Sequence, residues 1–190
     1  MIEVKRTTKE TDIAVRLNLY GSGQTSISTG VGFLDHMLDA FGRHAHIDLE
    51  VSCDGDTHID DHHSVEDIAI VLAKALHQAI YPVQNIERYG NAIVVMDEAS
   101  VGCDIDISNR GFLVFELPIG GKVGDFDVEL VEEFFRAFAM NLPITLHLTY
   151  HRGKNKHHII EAAFKALAVA LRRAVAINEN AGIPSTKGVL

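Results

Sequence analysis

His62-His63-Ser64-Val65-Glu66 and His157-His158-Ile159-Ile160-Glu161 are two copies of one pattern, H-H-x-x-E, set 95 residues apart (157 minus 62) in a chain of 190. Each opens a helical stretch. Val65, Ile68, Leu72, Leu76 and Ala79 follow the first, and Ile160, Phe164, Leu167, Leu171 and Val175 run through the second. Steps of three and four draw one apolar stripe along each helix. Asp60 or Asp61 is placed to cap the first helix and Asn155 the second, and Pro82 lies just beyond the first helix's end.

The repetition extends outward from these motifs. Glu10-Thr11-Asp12-Ile13 leads into the alternation of Val15, Leu17 and Leu19. Glu98-Ala99-Ser100-Val101 leads into Cys103, Ile105 and Ile107, at an offset of 88 (98 minus 10). Alternation of this kind predicts strands with one buried face. The helical stretch Phe33–Phe41 aligns with Leu130–Phe138 at an offset of 97 (130 minus 33), which sets His36 opposite Glu133. A short strand follows in each half, Ile47–Val51 and Ile144–Leu148, before the H-H-x-x-E helix. Each half therefore reads β-β-(β)-α-β-α. The expected architecture is α+β: two fused pseudo-symmetric β/α repeats, each a small sheet with two helices packed on one face. A single domain over residues 1–190 is expected, with repeats of about 1–85 and 86–190. The junction near Val83–Arg88 carries no Gly/Ser-rich linker, so the halves should pack tightly.

Composition narrows the function. The chain is 47% hydrophobic and 23% charged, which suits a globular core, and a net charge of −9 argues against a general nucleic-acid binder. The two cysteines, Cys53 and Cys103, lie in β-like runs and form no C-x-x-C pair, so both read as small apolar fillers in a reducing compartment. No apolar run is long enough to span a bilayer and no signal core opens the chain; a soluble cytoplasmic protein without a membrane partner is expected.

On a helix, His62 and Glu66 are four apart and His63 and Glu66 three apart, so either pair can share a face, whereas adjacent imidazoles diverge by about 100°. Neighbouring histidines are thus set to serve two ions, or an ion and a substrate. Each ion would then draw its histidines from both repeats. Imidazole with carboxylate and no thiolate is a transition-metal ligand set, open to manganese, iron, zinc or cobalt. His36 and Glu133, matched across the repeats, are candidate further ligands. His147 alternates with Ile144, Leu146, Leu148 and Tyr150 and should face away from the core. His44 closes the helix that carries His36 and is placed to line a pocket. Arg88, Arg110 and Lys187 lie in turns and the tail, where guanidinium, ammonium and free amides suit a phosphate. No Walker loop, G-x-S-x-G or H-E-x-x-H occurs.

Longer motifs are Arg6-Thr7-Thr8-Lys9-Glu10-Thr11, Phe33-Leu34-Asp35-His36-Met37-Leu38, Asp60-Asp61-His62-His63-Ser64-Val65-Glu66-Asp67, Gly124-Asp125-Phe126-Asp127, His157-His158-Ile159-Ile160-Glu161-Ala162 and Pro184-Ser185-Thr186-Lys187-Gly188-Val189-Leu190. Together they resemble the imidazoleglycerol-phosphate dehydratase family, and the likeness runs nearly end to end. The resemblance implies a manganese-dependent hydro-lyase of histidine biosynthesis in its monofunctional form, with two Mn²⁺ per subunit. It also implies a homo-oligomer of 24 subunits with active sites at subunit interfaces. Carried over motif by motif, the metal ligands are His36, His62, His63, Glu66, His157, His158 and Glu161. Glu133 occupies a slot that is often histidine in the family. Substrate contacts fall to Glu10, His44, Arg88, Arg110, Lys165, Ser185 and Lys187, with the basic residues on the phosphate. Glu66, Glu161, Glu10 and His44 are the candidate catalytic groups.

The implied chemistry is coherent. The small phosphorylated imidazole substrate loses water beside the ring, and no carbonyl is present to stabilise a carbanion. A metal-held imidazolate can expel hydroxide to give a diazafulvene-like species, after which a carboxylate or histidine moves the proton. Two rival readings explain the ligands alone: a dinuclear hydrolase of phosphate esters, and a histidine-rich metal-storage protein without turnover.

Overall fold

The strands form where apolar residues alternate. Along β2 (Thr11–Asn18) the buried positions are Thr11, Ile13, Val15 and Leu17, with Asp12 and Arg16 turned to solvent. In the computed structural model, which describes residues 1–190, β2 pairs antiparallel with β1 (Ile2–Thr7) and with β4 (Asp48–Gly55). The short β3 (Thr25–Ser28) lies parallel to β4 at the edge, giving the order β1-β2-β4-β3. The second half repeats the plan. Strands β5 (Tyr89–Met96), β6 (Ala99–Asp106), β10 (Thr145–Arg152) and β7 (Phe112–Glu116) lie in that order, with β7 parallel to β10. One addition breaks the symmetry: a two-stranded hairpin of β8 (Lys122–Val123) and β9 (Phe126–Asp127), present only in the second half.

Four helices lie between the two sheets. The helices α1 (Gly32–Ala45) and α2 (His62–Ile80) cover the first sheet, and α3 (Glu129–Asn141) and α4 (Lys156–Ala174) cover the second. The helix layers also meet each other, with α1 against α4 and α2 against α3, so every helix touches one from the opposite half. A single apolar cluster runs through both halves. At its centre Phe134 stacks near Phe138 and Phe164, and Phe41 of α1 meets Phe138 edge-on at 6.3 Å.

The helix starts carry the chemistry, and they are fixed by capping. Asn155 accepts from the amides of His157 and His158 at 3.0 and 3.4 Å, as expected from sequence. At α2 the geometric cap is Asp61, but the oxygen that takes the amide of His62, at 2.9 Å, belongs to Asp60. Close approach of α4 to its sheet depends on Gly90 in β5: a Cβ there would lie 2.0 Å from the carbonyl oxygen of Ala170. The connector Val83–Arg88 is not a free linker. It zips against the tail, Asn85 bonding to Gly182 and Asn178, and Glu87 to Ala176.

Candidate metal and substrate site

The cross-packing of helices brings one donor group to a point. His36 on α1 and His157 on α4 both turn Nε2 onto the same oxygen of Glu161, at 3.2 and 3.1 Å. The three donor atoms lie within 4.8 Å of one another. Two imidazoles and a carboxylate at this spacing fit one transition-metal ion. The three donors come from both halves. Glu161 is 5% exposed. Burial works to raise its pKa, but hydrogen bonds from Lys165, 2.7 Å away, and from His36 outweigh it, so the carboxyl sits below its ordinary range. Phe33 stands edge-on to His157 at 5.2 Å and packs on Phe126 of the β8–β9 hairpin. The hairpin walls a cavity of about 590 Å³ that opens beside the three donors and is lined by Gly30, Phe33, His36, Asp61, Phe126 and His157.

The related position in the other half is looser. His62 Nε2 and Glu66 lie 4.0 Å apart on one face of α2. Glu133 sits on α3, the helix packed on α2, as His36 sits on α1 against α4. Its carboxylate reaches towards Arg136 at 3.8 Å and joins no donor cluster within the chain. The second histidine of each pair points elsewhere. The rings of His62 and His63 stand at 85° with centroids 6.1 Å apart, and those of His157 and His158 at 79° and 6.2 Å. His63 meets Asp56 at 3.0 Å and has Glu10 3.9 Å away; His158 meets Glu98 at 2.7 Å and has Asp97 3.8 Å away. Glu98 also accepts the amides of Lys154 and Asn155, and these bonds with His158 hold its carboxyl at about 2. Asp56 left no signal in the sequence. Glu98 did, as the residue aligned with Glu10.

His44 lies eight residues, about two turns, beyond His36 on α1. Desolvation, then the charges of Lys165 and Arg172, push its imidazole pKa down, which favours the neutral ring. Arg172 donates to the His44 carbonyl and to His46 Nε2, a contact with no mark in the sequence. His147 is exposed on the outer face of β10, as its alternation predicts.

The basic residues lie far from these donors. Arg88 is fixed at the far end of α4, its amide bonded to Ala174. From Glu161 to Ala174 is 13 helical positions, about 20 Å along the axis. Its guanidinium is committed as well: Nε and Nη2 bond Asp106 at 2.7 and 3.2 Å, and Nη1 bonds the carbonyl of Pro184 at 2.8 Å. Arg88 therefore acts first by pinning the tail that carries Ser185 and Lys187, while Arg110 is 65% exposed, its guanidinium 3.8 Å from Asp106. Arg88→Ala should loosen that tail. Trypsin would then cut after Lys187 about tenfold faster; an unchanged cleavage rate would mean that the tail is held by other contacts.

Comparison with known proteins agrees with this geometry. The sequence profile of the family described as imidazoleglycerol-phosphate dehydratase matches residues 29–171. The dehydratase of a Sulfurovum species is 81% identical over 190 residues, covering all of both chains, and that of Sulfurimonas denitrificans is 64% identical over the same span. Among solved structures, the Pyrococcus furiosus enzyme in complex with (S)-C348 superposes with a TM-score of 0.86 at 41% identity, covering 98% of this chain and 100% of that one. The Staphylococcus aureus enzyme gives 0.83 at 39%, covering 93% and 99%. No helix is long and apolar enough to cross a membrane. The duplicated H-H-x-x-E helices, the paired four-stranded sheets and the end-to-end identity make this chain a member of the imidazoleglycerol-phosphate dehydratase family.

Proposed function

We propose that the chain is a hydro-lyase that converts imidazole glycerol phosphate to imidazole acetol phosphate in histidine biosynthesis. The observation that carries this reading is the His36–His157–Glu161 group, built across the two halves in a chain of this family. Two Mn²⁺ per subunit are proposed, held by His36, His62, His63, Glu66, Glu133, His157, His158 and Glu161. Such cations would supply Lewis acidity, stabilising the substrate ring as its anion, and the proposed route for loss of hydroxide would run through a diazafulvene-like species.

The chain's own residues do the rest. Glu10 has no side-chain partner nearer than His63 at 3.9 Å, which leaves its carboxylate available to take a proton from the substrate carbon. His44 can take up a proton released by the substrate and pass it to the departing hydroxide, which leaves as water, or to the enol carbon, which gives the ketone. Lys165, 2.7 Å from Glu161, favours the ionised form of that carboxyl. Arg88, Arg110, Ser185 and Lys187 are assigned to the phosphate.

A ring, three carbons and a phosphate are far shorter than the roughly 20 Å from Glu161 to the far end of α4. With the phosphate assigned to Arg88 and the tail, that group would be received by the tail of a neighbouring subunit. This supports a homo-oligomer with interfacial sites, proposed as 24 subunits. The test is turnover by metal-stripped protein with and without Mn²⁺. Manganese-dependent imidazole acetol phosphate is the expected product. Folded, metal-loaded protein that gave no product would overturn the reading, and release of inorganic phosphate alone would replace it with hydrolysis.

A further inference from the structure

His63 and His158, the second members of the two pairs, are held alike by acidic side chains from loops. His63 Nδ1 lies 3.0 Å from Asp56 Oδ2, and His158 Nδ1 lies 2.7 Å from Glu98 Oε2. An ionised carboxylate only accepts, so in each neutral ring Nδ1 carries the proton and Nε2 keeps its lone pair. Both Nε2 atoms face a carboxylate beyond hydrogen-bond range, Glu10 at 3.9 Å and Asp97 at 3.8 Å.

Duplication alone does not account for this likeness. Asp56 follows β4, whereas Glu98 lies in the turn between β5 and β6. The residue aligned with Asp56 at the motif offset is His151 (56 plus 95), and the residue aligned with Glu98 is Glu10 (98 minus 88), which stands beyond bonding distance of His63. The two halves reach one arrangement with different residues from different places. A shared demand on the imidazole explains that better than shared descent.

We infer that Asp56 and Glu98 are positioning residues that fix His63 and His158 with Nε2 presented to a divalent cation. A carboxylate on Nδ1 sets the ring's direction and tautomer and makes Nε2 a better donor. The assignment rests on the metal reading above, and its test separates the two.

Full-length, metal-free parent, Asp56→Asn and Glu98→Gln are titrated with Mn²⁺ by calorimetry, and each is melted without metal. Asn and Gln keep the shape and an acceptor oxygen but remove the charge. The expected result is affinity weakened 10- to 100-fold for the sites served, with metal-free melting near that of the parent. Affinities within twofold of the parent in folded variants would overturn the assignment, as would lowered melting with affinity unchanged, the mark of a purely structural contact. Glu98 also accepts the amides of Lys154 and Asn155, so Glu98→Gln tests a residue with two duties. Asp56 is the simpler case, since its second oxygen, Oδ1, is buried without a partner. A parent that bound no ion at all would remove the metal reading, and this assignment with it.

Discussion

Replacing Glu161 by glutamine should reduce kcat/KM by about 10³-fold or more, because one side chain here has three duties. Its Oε2 is the point on which His36 and His157 converge, and its Oε1 takes the Lys165 ammonium at 2.7 Å. Glutamine fills the same space but offers no charge. A cation held there would meet two imidazoles and an amide, and Lys165 would be left without its counter-charge. Two measurements identify the cause. Metal per chain after dialysis should fall, and the rise in Tm that Mn²⁺ gives the parent should shrink or vanish, since only an ion bound by the folded state stabilises it. A variant with parental metal content and turnover would remove Glu161 from the centre of the site.

The largest structural effect is expected at Gly90. An alanine Cβ would stand 2.0 Å from the Ala170 carbonyl oxygen and 2.7 Å from the Ala174 amide. These are backbone atoms of α4, with no rotamer by which to escape, so the helix itself must move off β5. Gly90→Ala should cost about 3 kcal/mol, at the upper end of ordinary overpacking. For a chain of this size that corresponds to a Tm lower by roughly 6–12 °C. Gly32→Ala is the matched control, because nothing lies within 4 Å of a Cβ there. Its melting should stay close to the parent's. A Gly90→Ala variant that melted within 2 °C of the parent would show that α4 tolerates displacement. The same shift disturbs the seating of α4 on α1, and with it His157 and Glu161 against His36, so turnover should fall with stability.

Much of this arrangement is legible in the residues. Stripes such as Ile160, Phe164, Leu167 and Leu171 define helices and their buried faces, and the offsets of 88, 95 and 97 reveal two copies of one plan. The match of Phe33–Phe41 to Leu130–Phe138 singled out His36, which does join His157 and Glu161. Strand partners are less legible, because alternation fixes which face a side chain takes and not which strand lies beside it. Hence β3 and β7, parallel at their sheet edges, could not be placed, and the two-residue strands of β8 and β9 are too short to alternate. Glu133 aligns with His36, and within one chain its carboxylate lies 3.8 Å from Arg136 on its own helix. The holds on His63 and His158 depend on where two loops fold back, which no local spacing records.

The packing of α1 on α4 and of α2 on α3 carries a consequence for ancestry. A half-length forebear made of one repeat would have had no complete donor group, since its first helix and its H-H-x-x-E helix face opposite partners. Only two copies, face to face, could have assembled one, and they would have assembled two identical ones. Joining the copies into one polypeptide removed the need for both to stay alike. One group could keep its histidine at position 36 while its twin accepted glutamate at 133. The unequal halves of the present chain are what a symmetric pair becomes once each copy is inherited separately from the other.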